Sequence, residues 1–305
     1  MTLTGLYVPL ITPFDDSGAV ARGALESLAH QLLDAGASGL VALGTTAEPG
    51  SLTVAEQDVV VEVAARACRE RGAQLLVGAH SPEALRGLAD RPEVVAALSL
   101  VPSFVRPGAA GVLAHFAHLA ATSPVPIVVY DVPRRTGQYL PVETLRRLAE
   151  LPGVVGLKYS PDGVNADTVA LFADPPAGLA ILGGEDTFLS ALLALGAHGG
   201  IVASAHLATA EYVRLIALWQ AGDVAAARAL GGRLSVLSTA LFAEPNPTVI
   251  KAVLHAEGRI PSAAVRLPLL AAGPDTTATA YAHLDALTSP STGRPAAPPE
   301  PAVAG

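Results

Sequence analysis

Short apolar runs and helical patterns alternate eight times along this chain. The strand-like runs are Leu6–Ile11, Leu40–Leu43, Leu75–Val77, Val95–Val101, Ile127–Tyr130, Val154–Leu157, Leu179–Leu182 and Gly200–Ala203. Most are apolar throughout instead of alternating with polar residues, as strands covered on both faces must be. Between them the 3.6-residue period predicts helices over Gly23–Ala35, Thr53–Arg71, Pro82–Leu88, Ala109–Ala121, Pro141–Glu150, Val164–Phe172 and Asp186–Leu195. Eight β/α alternations without a long break predict a closed (β/α)8 TIM barrel. A doubly wound open sheet is the alternative, but no Gly-x-Gly-x-x-Gly follows the first strand.

Beyond the eighth strand the pattern turns to helices alone, over Ala208–Ala221, Val224–Phe242, Pro247–Gly258 and Asp275–Leu287, a helical appendix to the barrel. From Thr288 onward Ser, Pro, Ala and Gly dominate and nothing is left to bury, which predicts a disordered tail. The expected division is therefore a barrel core over 1–207, a helical region over 208–287 and a tail over 288–305.

Composition narrows the function. The 305 residues are 51% hydrophobic and only 15% charged, ample material for one large core. The formal charge is −8 and no basic stripe runs along any predicted face, which argues against nucleic acid and acidic membranes as partners. The stretch from Thr187 to Ala210 has no acidic or basic residue besides His and is long enough to span a membrane. Gly196, His198, Gly199, Gly200 and His206 interrupt it, so a helix, a glycine turn and a buried strand fit better. The N-terminus lacks the basic region of a signal peptide, and Cys68 is the single cysteine, so a reducing cytoplasmic setting is expected. Cys68 falls in a helical run and reads as core filler.

Candidate chemistry starts from the lysines. There are two, Lys158 and Lys251, against seventeen arginines. Lys158 closes the apolar run Val154-Val155-Gly156-Leu157. Arginine stays protonated in proteins, whereas a desolvated lysine can lose its proton and attack a carbonyl to form a Schiff base. The competing reading is a lysine that snorkels its ammonium to water. In such barrels the chemistry lies at the C-terminal ends of the strands. Those ends carry Thr45-Thr46, Ser103-Phe104, Tyr130, Lys158 and the pair Glu185-Asp186. A lysine can trap an electrophile, a phenol can pass protons, and hydroxyls with backbone N–H groups can hold a carboxylate. Arg135 could clamp a second carboxylate, while one of Arg134 and Arg135 is expected to be a solvated loop residue. Zinc is not expected, because the eight histidines, His80 and His206 among them, show no ligand spacing.

The segments Gly44-Thr45-Thr46-Ala47-Glu48, Tyr130-Asp131-Val132-Pro133-Arg134-Arg135-Thr136-Gly137, Gly156-Leu157-Lys158 and Glu244-Pro245-Asn246-Pro247 resemble the dihydrodipicolinate synthase/N-acetylneuraminate lyase family. The likeness runs in order from Gly5 to about Leu269. The resemblance implies that Lys158 forms an imine with pyruvate, that Tyr130 donates and accepts protons, and that Thr45 belongs to the proton relay. It further implies that Thr46, Gly184 and Ile201 bind the keto acid and that Arg135 receives the carboxylate of aspartate semialdehyde. No cofactor is implied beyond the covalent lysine–pyruvate imine, and the expected partners are a small keto acid, an aldehyde and further copies of the chain, as a dimer or tetramer.

The chain departs from this pattern at Phe104, where family synthases carry a tyrosine reaching into the neighbouring subunit's relay. Ala47 replaces a glycine, and Ser103, Val54 and Gln57 stand where lysine-inhibited members place Tyr and His. Two other functions stay open on sequence: an aldolase or dehydratase acting on a 2-keto-3-deoxy sugar acid, and a homologue that binds a keto acid without turnover.

Overall fold

The computed structural model describes residues 3–288. Eight parallel strands of the described residues close a barrel in chain order, β1 (Gly5–Pro9), β2 (Gly39–Ala42), β3 (Gln74–Gly78), β4 (Val94–Leu100), β5 (Ile127–Asp131), β6 (Val154–Tyr159), β7 (Ala180–Gly183) and β8 (Gly199–Ile201). β8 returns to β1 with Tyr7 opposite Ile201, which closes the ring. The continuous apolar runs thus meet their requirement: one face of each strand fills the barrel and the other packs under the helices.

The two faces form two cores. Inside the barrel, Leu3, Tyr7, Val41, Leu76, Leu98, Val128 and Leu182 pack together below Tyr130 and Ile201. Outside, the other strand faces meet the helices in a second, larger cluster. Gly199 shows how closely neighbouring strands approach, since a Cβ there would lie 2.0 Å from the Gly5 carbonyl oxygen.

The surrounding helices are α1 (Arg22–Asp34), α2 (Val54–Arg71), α3 (Pro82–Arg86), α4 (Gly108–Thr122), α5 (Pro133–Thr136), α6 (Val142–Ala149), α7 (Ala166–Ala173) and α8 (Leu189–Leu195). Predicted and observed bounds differ by no more than three residues at any end. Thr53 lies outside α2 as its cap: its hydroxyl accepts the Glu56 N–H while the Glu56 carboxylate accepts the Thr53 N–H. Such a reciprocal cap contributes about 1 kcal/mol. The stretch 186–195 begins as a 3₁₀ turn, Asp186–Phe188, before α8 proper. The one-turn α5 has no counterpart in the predicted pattern; Pro133 starts it and the left-handed Gly137 stops it.

The region 187–210 resolves into α8, a left-handed Gly196 and the buried β8, and no helix among the described residues is long and apolar enough to cross a membrane. The expected appendix is present as α9 (Thr209–Gln220), α10 (Val224–Leu241), α11 (Thr248–Ala256) and α12 (Pro274–Thr288). The expected tail lies outside the described residues, apart from Thr288, which ends α12. Cys68 is fully buried, and burial pushes its thiol up to about 12, so it is core filler and not a nucleophile.

Candidate active site

Register places the two central side chains. Tyr130 of β5 pairs directly with Lys158 of β6, so both point into the mouth of the barrel from adjacent strands. The Lys158 ammonium lies 4.1 Å from the centre of the Tyr130 ring. Lys158 is 5% exposed, so it does not snorkel to water, and it makes no hydrogen bond or ion pair among the described residues. β6 continues one residue past Lys158, because Tyr159 still pairs with Asp131 and Gly183. The lysine therefore sits one residue inside the strand instead of at its end, held from both sides.

All seven sequence-derived site residues line one pocket: Thr45, Thr46, Tyr130, Arg135, Lys158, Gly184 and Ile201. Gly184 is there for space. A Cβ at this position would lie 2.7 Å from Lys158 Cγ and 2.8 Å from its Cε, so only glycine lets the β7 end pass the lysine stem. Ile201, the last residue of β8, closes the opposite wall and is fully buried.

The hydroxyl pair sits on a 3₁₀ turn, Thr45–Ala47, directly after β2. The Asn246 side-chain amide donates to Thr46 Oγ1 at 3.0 Å. An amide N–H can only donate, so the threonine oxygen accepts, and its own proton is left for an acceptor in the pocket. Asn246 Oδ1 is buried and has no hydrogen-bond partner among the described residues. Asn246 was visible only as part of a motif; its contact with Thr46 spans 200 residues and no local pattern announces it.

Both arginines line the pocket, so neither is the purely solvated loop residue that was expected of one of them. Arg134 pairs with Glu185 across the mouth at 3.2 Å. Burial raises the Glu185 carboxyl above its ordinary value, and the Arg134 charge opposes that. Arg135 has neither ion pair nor side-chain hydrogen bond among the described residues, which leaves its guanidinium free for an anion. Asp186 is buried in the lining of the pocket, where it accepts the Ser204 N–H at 2.6 Å and fixes the turn after β8. Its carboxyl is raised by desolvation first of all.

The pocket around Lys158 leaves room for the centre of little more than one water molecule, about 20 Å³. It opens into a groove of about 360 Å³ that shares Thr45, Arg135 and Asn246 with it and is walled by Pro49, Leu267, Pro268 and Leu269. A molecule bound against the lysine must therefore extend toward the groove, from which a second one also approaches. Phe104 takes no part in this pocket. It is 95% exposed with φ +67°, at the tip of the loop after β4.

His80 and His206 are both committed to backbone. His80 Nδ1 accepts the Leu100 N–H, and His206 Nε2 accepts the Ile11 N–H while its Nδ1 proton goes to the Ala203 carbonyl.

A barrel with a buried, unpaired lysine beside a tyrosine at its C-terminal mouth defines the class of Schiff-base lyases and aldolases. Residues 2–287 match the Dihydrodipicolinate synthetase family, and the chain belongs to it. A 4-hydroxy-tetrahydrodipicolinate synthase 2 of Clostridium acetobutylicum is 34% identical over 275 residues, 88% of this chain and 95% of the relative. The 4-hydroxy-tetrahydrodipicolinate synthase of Laribacter hongkongensis is 35% identical over 271 residues, 88% of this chain and 92% of the relative. Among solved structures, the chloride-inhibited dihydrodipicolinate synthase of Acinetobacter baumannii complexed with pyruvate superposes with a TM-score of 0.88 at 29% identity, covering 94% of this chain and 99% of that one.

Proposed function

We propose that this protein is a 4-hydroxy-tetrahydrodipicolinate synthase-type lyase that condenses pyruvate with aspartate semialdehyde through an imine on Lys158. The observation that carries this reading is the unpaired Lys158 ammonium 4.1 Å from the Tyr130 ring, in a pocket at the barrel mouth that opens into the wider groove. The relatives' names give the product, 4-hydroxy-tetrahydrodipicolinate, and a solved relative is complexed with pyruvate.

In this reading the Lys158 amine adds to C2 of pyruvate, and loss of water gives the imine. Removal of a methyl proton then gives the enamine, whose C3 attacks the aldehyde carbon as that oxygen gains a proton. Tyr130 donates and accepts these protons, with Thr45 beside it in the relay. Thr46 gives its free proton to the pyruvate carboxylate, with Gly184 and Ile201 closing the wall around it. Arg135, at the junction with the groove, holds the acceptor's carboxylate bidentately. The protonated imine is itself the electron sink, so the chemistry needs neither metal nor organic cofactor.

We read the division into a barrel over 1–207 and a helical region over 208–287 as one folding unit with an appendix, and we place the protein in the cytoplasm, as a single unpaired buried cysteine suits a reducing compartment. The exposed Phe104 and Val105 on the loop after β4 support self-association as a dimer or tetramer.

Incubation with pyruvate, reduction with borohydride and mass spectrometry should find the adduct on Lys158. A turnover screen over aspartate semialdehyde and 2-keto-3-deoxy sugar acids then separates the synthase from a sugar-acid aldolase. Adduct without turnover of any acceptor would identify a keto-acid binder, and absence of adduct would end the Schiff-base reading.

A further inference from the structure

The second lysine is buried more completely than the first, and nothing in the proposed chemistry uses it. Lys251 of α11 is 0% exposed, and its ammonium donates to Glu48 Oε1 at 2.8 Å. The other Glu48 oxygen accepts the Arg266 backbone N–H at 2.8 Å. The Phe14 ring lies 4.1 Å from the Lys251 ammonium and 4.3 Å from the Arg266 guanidinium carbon. Arg266 and Glu48 are thus the charged groups that surround this lysine, and Glu48 is the one it bonds.

Glu48 is the hinge of the loop that carries the hydroxyl pair. It ends the turn Thr45–Ala47 and starts the next, Pro49–Ser51, in a left-handed conformation with φ +56°. A non-glycine residue held there costs on the order of 1–3 kcal/mol and persists only when its surroundings fix it. Lys251 and the Arg266 N–H are those surroundings. The same segment of chain grips the loop a second time through the Asn246–Thr46 hydrogen bond, five residues before Lys251. Thr12 Oγ1 holds the Ala47 carbonyl at 2.8 Å from the barrel side.

We propose that Lys251 is a positioning residue that acts through Glu48: it straps the Thr45-Thr46 turn to α11, so that part of the keto-acid site is set by the helical appendix. This rests on the reading that Thr46 binds the keto-acid carboxylate. The lysine is suited to the place because a compact ammonium fits between one carboxylate oxygen and a ring, where a planar guanidinium would need more room.

The test compares Lys251→Met, Glu48→Gln and the double variant, in the full chain, for thermal stability, KM and kcat, and half-saturation of the borohydride-trapped pyruvate adduct. Lys251→Met leaves Glu48 buried and unpaired, so its melting temperature should fall. Its half-saturation and KM for pyruvate should rise about ten- to a hundredfold, and kcat should fall as well because the same turn carries Thr45 of the relay, since small misplacements of reacting groups have effects of this size. The double variant removes the stranded charge and should recover most of the melting temperature. It should not recover the half-saturation, because the strap is still gone.

Half-saturation within twofold of wild type in a folded Lys251→Met protein would overturn the proposal, as would recovery of stability and half-saturation together in the double variant. If the wild type forms no adduct, the Schiff-base reading fails on its own, and hydrogen exchange at Ala47 and Glu48, whose N–H groups bond within the turn, still reads the strap. Faster exchange there in the double variant supports the strap; unchanged exchange overturns it.

Discussion

Lys158 and Lys251 are the same residue at nearly the same depth, and their neighbours give them opposite characters. Lys158 faces a phenol ring and open pocket, with no carboxylate within ion-pair distance among the described residues. Lys251 faces a ring as well, but a carboxylate oxygen sits 2.8 Å away. Burial alone therefore does not make a lysine a nucleophile. A buried ion pair spends the ammonium's charge on its partner, and breaking it strands a charge at a cost of about 3–5 kcal/mol. An unpaired lysine at the mouth of the barrel, once its ammonium gives up a proton, has its electron pair within reach of a substrate.

The sharpest way to break this comparison is Lys158→Arg. The variant keeps charge and fold but cannot form an imine, so borohydride trapping should vanish and turnover should fall by about 10⁴-fold or more. The reduced adduct found on Lys251, or undiminished in the Arg variant, would show that the two lysines had been given each other's roles.

Next in size is Tyr130→Phe. The ring beside the Lys158 ammonium remains and only the phenol oxygen goes, so pyruvate binding should change little. Loss of one proton-transfer group lowers turnover by about 10²–10⁴-fold. A Phe variant as active as wild type would mean that the proton leaves by another route and that Tyr130 serves only as a platform.

A third buried ionisable group extends the comparison. Asp131 is the residue after Tyr130, and its side chain faces away from the pocket. Its Oδ1 is buried without a partner among the described residues, and desolvation, with a smaller contribution from the Asp162 charge, raises its carboxyl to about 7. The unfolded chain releases this proton near pH 4, so between about pH 4 and 7 the folded state holds more protons than the unfolded one. Stability therefore declines as pH rises through that window, by at most about 4 kcal/mol for a three-unit difference. Asp131→Asn should match wild type near pH 4 and exceed it by a growing margin up to pH 8, as measured by urea unfolding. His206 works in the opposite direction. Burial lowers its imidazole to about 4, so the stability of its neutral form is complete above about pH 6.5 and is lost as pH falls toward 4. Because both proteins keep His206, its contribution cancels in their difference. A difference independent of pH would show that Asp131 titrates normally.

The eight strands, the appendix and part of the pocket could be read from sequence because continuous apolar runs and residues at strand ends are local signals, whereas Gly184 and Ile201 entered only through the family resemblance. Thr45, Thr46, Tyr130 and Lys158 lie at or beside the ends of apolar runs, so the barrel rule finds them. The Lys251–Glu48 pair could not be read this way. Its partners are 203 residues apart, and a helical lysine in Pro247-Thr248-Val249-Ile250-Lys251 looks the same whether its ammonium meets water or a carboxylate. The scarcity of lysine was the available signal, and it applied equally to both. Asn246 was obscured for the same reason, because its role depends on which turn the appendix packs against. The choice between Arg134 and Arg135 also needed three dimensions, since Glu185, which occupies Arg134, comes from a different strand end.

The smallest effect is expected at Phe104, which inverts the case of the lysines: an apolar side chain left in solvent instead of a charged one taken out of it. The loop holds this ring in a left-handed conformation, φ +67°, with Arg106 at φ +50° two residues on. Asn tolerates that backbone region better than an aromatic residue, and surface substitutions of this kind change stability by no more than about 0.5 kcal/mol. Phe104→Asn should therefore leave the unfolding of the isolated chain unchanged. If the ring exists to anchor a second copy, the same substitution should weaken self-association about tenfold or more, as truncated interface anchors do. Sedimentation equilibrium across a dilution series separates the two effects. Unchanged association would mean that the exposed ring is not the contact, and that Val105 or the exposed Leu267 and Leu270 should be tested next.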